Sequence, residues 1–214
     1  KPLCLTKNEL SNIENSISNN QILMVGYNRR FAKLTRILKE QLKHLKSPKS
    51  FVYLCNAGHI PNDHWTHDPK IGGGRLLGEA CHFVDLLTFL CDEEIKKINL
   101  ISCKDNKKIP DTFTLNIYFS GGSIGTVNYF ANGSKLFPKE RLEVFADNKI
   151  FQLNNFLTLK SWGVKGFKNI RHYRKDKGQV NCAAEFLKAI SLGNYEPIPR
   201  SQIFNVQKYL IEAS

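Results

Sequence analysis

Acidic residues are scarce in this chain, with 19 Asp and Glu against 31 Lys and Arg, for a formal charge of +12 and a pI near 9.4. Such an imbalance raises nucleic acid or an anionic surface as a partner. Helix-turn-helix, zinc-finger and RNP patterns are nevertheless missing, and the lysines are scattered, as in Leu34 to Lys49, rather than gathered into a stripe. No nucleic-acid partner is expected, and a phosphorylated or nucleotide-linked small molecule is the better use of the positive potential. No hydrophobic run is long enough to span a bilayer, so no membrane partner is expected either. Cysteines 4, 55, 81, 91, 103 and 182 mostly sit inside apolar runs, with no framework spacing and no C-x2-C pair. That excludes a disulfide scaffold and points to reduced thiols in a cytoplasm. Internal repeats, low-complexity tracts and a signal peptide are also missing. So is an initiating methionine, from which the chain reads as part of a longer protein.

What is present centres on Gly72-Gly73-Gly74-Arg75-Leu76-Leu77-Gly78-Glu79-Ala80-Cys81-His82-Phe83-Val84-Asp85. Leu76, Ala80, Phe83, Val84, Leu87 and Cys91 recur at helical spacing and predict a helix from Gly74 to Cys91 with one apolar stripe. Arg75, Glu79, His82 and Asp85 follow at steps of three or four, which puts four ionisable groups on neighbouring faces. A carboxylate one turn away on either side favours the imidazolium of His82, which suits proton transfer. A surface helix carrying a plain charge ladder fits the same spacing. The glycines read G-x-G-x-x-x-G, one residue too long for the dinucleotide fingerprint, and no Lys-Ser/Thr follows for a P-loop. They allow close backbone approach at a helix start, where an anion or merely a flexible turn fits.

Upstream, Asn56 to Pro69 holds His59, His64 and His67, but two prolines deny it helical register, and no metal is expected. Trp65 and Asp68 there suit a pocket wall, the indole for stacking and the carboxylate for a hydroxyl. Tyr27, Asn28, Arg29 and Arg30 follow an apolar strand-like run, Ile22 to Gly26, where side chains commonly reach a ligand crevice. Of the two arginines, one is expected in an ion pair at a domain junction and one at the ligand.

The remaining organisation is a helix from Glu9 to Asn19, a basic amphipathic helix from Arg30 to Leu45 and a strand from Phe51 to Cys55. From Ile95 the pattern turns to period two: Thr112 to Phe119 and Ser123 to Ala131 form one hairpin, and Arg141 to Ala146 and Lys149 to Leu153 another around Asp147-Asn148. Ser161 to Lys177 reads as a basic aromatic loop, and Val180 to Leu192 and Ser201 to Ala213 as closing helices. The predicted class is α+β, a largely antiparallel open sheet with helices on one face.

Lys1-Pro2-Leu3-Cys4-Leu5-Thr6, Met24 to Phe31, Asn62-x-x-Trp65-x-x-Asp68 and the glycine-led helix with His82-x-x-Asp85 occur in this order. Together they resemble the glucose-fructose oxidoreductase, inositol dehydrogenase and MocA family. The resemblance covers residues 1 to about 91 and implies residues 1–27 as the end of an α/β Rossmann domain and residues 28–214 as a substrate and oligomerisation domain. It further implies NAD or NADP as cofactor, with Lys1 and Pro2 beside it, and a sugar, nucleotide sugar or polyol as substrate. A homo-oligomer formed through the sheet face follows from the same likeness. In these terms Lys1 and His82 are the catalytic pair. Tyr27, Asn28, Arg29, Arg30, Trp65, Asp68, Glu79 and Asp85 are the substrate contacts. Gly78 stands where the family usually has an aspartate, with Glu79 one place later, and that substitution keeps open a non-catalytic sugar-binding or assembly module.

Overall fold

Period-two alternation builds the sheet. The computed structural model describes residues 3–18, 20–104, 109–193 and 195–214. Its strands are β1 (Ser50–Asn56), β2 (Ile95–Ser102), β3 (Phe113–Phe119), β4 (Ile124–Phe130), β5 (Glu140–Ala146), β6 (Lys149–Asn154), β7 (Thr158–Trp162) and β8 (Ile170–Arg171). They lie in the order β2-β3-β4-β1-β5-β6-β7-β8. β1 runs parallel to β4, and the other neighbours are antiparallel. Alternate residues point inward: Phe51, Tyr53 and Cys55 of β1, Leu115 and Ile117 of β3, Val127 and Tyr129 of β4, and Leu142 and Val144 of β5 are all buried. Their neighbours Val52, Tyr118, Ile124 and Phe145 stand exposed on the opposite face.

Helices α1 (Lys7–Ser16), α2 (Lys33–Lys43), α3 (Cys81–Cys91), α4 (Gln179–Leu192) and α5 (Arg200–Ala213) complete the fold. α3 lies against β4, α2 against β6 and β7, and α5 against β2 and α3. α1 opens with a capping box, Thr6 accepting from the Glu9 N–H while Glu9 accepts from the Thr6 N–H. It packs on α5, where Gln207 Nε2 donates to the Cys4 carbonyl at 2.6 Å. The layered α+β architecture is the one the alternation predicts.

Four local expectations are corrected. Ile22 to Gly26 runs without a strand partner among the described residues, so the edge pairing a strand needs is missing there. The helix expected from Arg30 to Leu45 breaks at Ala32, whose extended backbone (ψ 137°) separates a 3-10 turn, Asn28–Phe31, from α2. The stretch read as a loop from Ser161 contributes the end of β7 and the short β8. Finally, the helix after the glycines widens into a π turn over Leu76–Ala80 before α3. Such widenings recur at functional sites.

α3 is also buried on more than one stripe. Cys81, Phe83, Val84, Asp85, Leu86, Leu87, Thr88, Leu90 and Cys91 are all buried, so the helix is wrapped between the sheet and α2 and α5. Its start is held by packed backbone. The Asp68 carbonyl accepts from Gly72 and Gly73 N–H at 2.8 and 3.0 Å. A Cβ on Gly72 would lie 2.5 Å from the Thr66 carbonyl oxygen, and Gly74 has φ +78° with Ile109 against it. Gly72→Ala should therefore lower stability by about 1–3 kcal/mol, the usual cost of overpacking. A denaturant midpoint that stays at the wild-type value with unchanged slope would show that the backbone yields instead.

Candidate functional site

His82 enters the site on the first turn of α3, half-buried, its ring edge-to-face with Tyr27 at 5.7 Å between centroids. Tyr27 is buried, and its hydroxyl finds no hydrogen-bond partner among the described residues. Burial above all, with Cys81 and Asp85 nearby, pushes the phenol well above its ordinary range, so it stays a proton donor.

The four-residue ladder splits between surface and core. Arg75 and Glu79 approach at 3.3 Å, and Tyr129 Oη donates to Glu79 Oε2 at 2.7 Å. Asp85, like Arg75, is buried, and it accepts from Arg30 Nε at 2.7 Å and Nη2 at 2.6 Å. Its charge answers a guanidinium rather than the imidazole. Burial pushes the Asp85 carboxyl up to about 6 against the pull of Arg30. Arg30 completes its fork on Gln202 Oε1 at 2.7 Å.

Arg29 turns the other way, to Glu140 on β5, with Nε 2.8 Å from Oε2 and its guanidinium over the Phe83 ring at 4.8 Å. Both arginines thus end in ion pairs, where the sequence predicts one at a junction and one at the ligand. Their carboxylate partners come from two different elements, β5 for Arg29 and α3 for Arg30. Asn28 is likewise engaged: its Nδ2 donates to the Lys177 carbonyl at 2.7 Å. Trp65 is exposed beside His64, and Asp68 Oδ1 accepts from Lys70 and Ile71 N–H at 2.7 and 3.2 Å, forming the turn that leads to the glycines. Lys1 and Pro2 lie outside the described residues. Among the described residues no group of three metal-ligating side chains converges, His59, His64 and His67 included.

Residues that periodicity passed over do much of the holding. Glu140, buried at the start of β5, accepts from Arg29, from Tyr53 Oη at 2.5 Å and from Lys177 Nζ. Burial acts to raise this carboxyl, but Arg29 and then Lys177 outweigh it and hold it down at about 2. Tyr129 is stacked on Phe113 at 5.0 Å. The inward phase of β5 and β4 was the available signal for both.

The Glu140 cluster gives a signed prediction. A carboxyl depressed from its ordinary 4.5 to about 2 contributes stability that is complete above that ordinary value and is lost as pH falls through the folded one. Acid denaturation of the wild type should therefore steepen between about pH 5 and about pH 2. Glu140→Gln should cost about 3 kcal/mol at neutral pH, the low end for breaking a buried pair, because Arg29 and Lys177 are only partly buried, and should flatten that slope. A variant whose pH profile matches the wild type would remove Glu140 from this account.

Three comparisons bear on this arrangement. Residues 50–152 match a family model, the GFO/IDH/MocA C-terminal domain. No curated protein matches. Solved structures are similar over the whole chain: a dehydrogenase from Clostridium difficile at 18% identity, covering 99% of this chain and 68% of the other, has a TM-score of 0.77. A levoglucosan dehydrogenase in complex with NADH follows at 19% identity, 100% and 69% coverage and TM-score 0.78. A UDP-N-acetylglucosamine 3-dehydrogenase from Acidithiobacillus ferrooxidans has 15% identity, 100% and 67% coverage and TM-score 0.76. Likeness at these identities speaks to the fold. No described helix is long and apolar enough to cross a membrane.

Proposed function

Because residues 50–152 match the GFO/IDH/MocA C-terminal domain model, we propose that the protein is an oxidoreductase. In this reading it moves a hydride between a nicotinamide, NAD or NADP, and a secondary alcohol of a sugar, nucleotide sugar or polyol. The observation that carries this reading is the half-buried His82 at the start of a wrapped helix, with the Tyr27 ring against it and Glu79 one turn back. The structural relatives named for levoglucosan and UDP-N-acetylglucosamine support the substrate class.

Each side chain then has a task. His82 takes the hydroxyl proton, since an imidazole titrates close to the operating pH. The buried Tyr27 ring backs the His82 imidazole, and Glu79 accepts from a neighbouring hydroxyl. Trp65 and Asp68 form the outer wall. Lys1 keeps the part that the family resemblance gives it, steadying the developing alkoxide. Asn28, Arg29, Arg30 and Asp85 act from behind by fixing the floor.

The nicotinamide, when bound, supplies the hydride acceptor. The glycine run does not fit its pyrophosphate: the space above Gly72, Gly73 and Gly74 is filled by Thr66, Leu5 and Ile109. In this reading the nucleotide is held by residues outside those described, in a Rossmann domain whose end is residues 1–27.

The first test is nicotinamide reduction by the full-length natural protein with D-glucose, myo-inositol, levoglucosan, UDP-glucose and UDP-N-acetylglucosamine, with NAD and with NADP. His82→Ala should lower kcat by at least about 100-fold, the usual size of a general-base effect. Unchanged turnover in that variant would remove His82 from the chemistry. Sugar binding without any turnover would favour a non-catalytic module.

The oligomer belongs to the same proposal. Across the open face the register aligns Tyr118, Ile124, Ser50, Phe145, Ile150 and Trp162 in one row over six strands. Four of these, Tyr118, Ile124, Phe145 and Trp162, are exposed large apolar side chains, a patch of the kind that marks an interface. Ile124→Lys combined with Phe145→Lys should convert the sedimenting species to a monomer with intact circular dichroism. A wild type that is already monomeric at high concentration would end this part of the reading.

A further inference from the structure

Tyr129 and Arg75 are buried beneath the site, and both converge on one carboxylate. Tyr129 is closed from solvent, stacked on Phe113 at 5.0 Å, tilted against Phe83 at 6.1 Å and covered by the Arg75 guanidinium at 5.0 Å. Arg75 is fixed in turn by Nη1 donating to the Gly58 carbonyl at 2.8 Å. Glu79 receives the Tyr129 hydroxyl on Oε2 at 2.7 Å and stands 3.3 Å from Arg75 Nε through Oε1, an ion-pair approach without hydrogen-bond alignment. The Arg75 side chain is 2% exposed and that of Glu79 26%. One end of this network is therefore rigid core and the other is an acceptor at the surface, three residues before His82.

The geometry points to Tyr129 and Arg75 as positioning residues that hold the Glu79 carboxylate to accept a second hydroxyl of the substrate, which makes Glu79 the group that selects among alcohols. This inference rests on the alcohol-oxidising reading above. A carboxylate accepts up to about four hydrogen bonds, so it can hold the Tyr129 hydroxyl and a substrate hydroxyl at once. A carboxylate on a flexible stem must give up rotamer freedom to grip a hydroxyl, whereas one already oriented gives up less. Tyr129 suits the task because burial and the Glu79 charge both push its phenol upward, keeping it a donor throughout the working pH range. Glu79 lies in the π turn and His82 on the first turn of α3, three residues on, so in this reading the selected hydroxyl neighbours the one His82 deprotonates, as in a vicinal diol.

The test is a double-mutant cycle in the full-length natural protein, using the alcohol of the panel above with the highest kcat/KM and its deoxy analogues. Tyr129→Phe and Glu79→Gln should each raise KM about tenfold, the worth of a charged hydrogen bond, with kcat moving less than about threefold. The double variant should be no worse than Glu79→Gln alone, and preference over one deoxy analogue should fall by the same factor. Purely structural damage would move melting temperature without this non-additivity. Additive effects, or unchanged KM and deoxy preference in a folded Glu79→Gln, would overturn the inference. If Tyr129→Phe does not fold, Arg75→Lys in the same cycle decides by the same criteria. The outcomes separate from failure of the underlying reading: an inactive His82→Ala with an unaffected Glu79→Gln refutes only the positioning network. An active His82→Ala, or a wild type without turnover, refutes both.

Discussion

Wrapping α3 on nearly every side deprives its one internal carboxylate of water, and much of the site's geometry depends on how that is resolved. Asp85 is fully closed from solvent and keeps a charge partner only because Arg30 reaches it with two donors. Pairing does not erase the desolvation penalty, as the upward push on Asp85 records. The pair's contribution is positional. Removing either partner would cost about 3–5 kcal/mol by leaving a buried ion alone, so the 3-10 turn Asn28–Phe31 has one place to be.

Fixing Arg30 also fixes its neighbours in sequence. Arg29 emerges on the other side of the turn and finds Glu140, while Asn28 is drawn to Lys177. Lys177 returns to the same Glu140 carboxylate, which closes a loop of contacts between the turn, β5 and the start of α4. Gly178 makes this approach possible, since a Cβ there would stand 2.4 Å from the Ala32 nitrogen. Tyr27, immediately before the turn, is thereby set against His82. One buried and one partly buried ion pair thus place an uncharged ring beside the imidazole, with both guanidiniums held on carboxylates.

The sheet, the closing helices and the inward phase of each strand were legible because alternation is a local signal and one buried face enforces it. The ion pairs were not. Arg29 and Arg30 carry no local sign of whether a carboxylate waits 111 or 55 residues away. Glu140 sits between Lys139 and Arg141 and reads as part of a solvated charge cluster, although its phase with Leu142 and Val144 is that of the core. The π turn was hidden for a different reason: apolar spacing at Leu76, Ala80, Phe83 and Val84 fits an α-helix, and nothing in that spacing marks a wider turn over Leu76–Ala80. Ile22 to Gly26 has strand composition, but a strand also needs a neighbour, which composition does not report.

The ladder Arg75, Glu79, His82, Asp85 gains its meaning from burial. Its outer members, Arg75 and Asp85, are the buried ones, and each is tied to a different element, the Gly58 loop and the 3-10 turn. Its inner members, Glu79 and His82, keep surface. A helical segment pinned through buried charges at both ends of its eleven residues, Arg75 to Asp85, holds the acid and the imidazole between them. Had all four residues been exposed, the same spacing would have given a screened ladder worth a few tenths of a kcal/mol per pair. Spacing alone leaves a charge ladder and a preorganised site equivalent; the depth of Arg75 and Asp85 separates them, and it argues for the second.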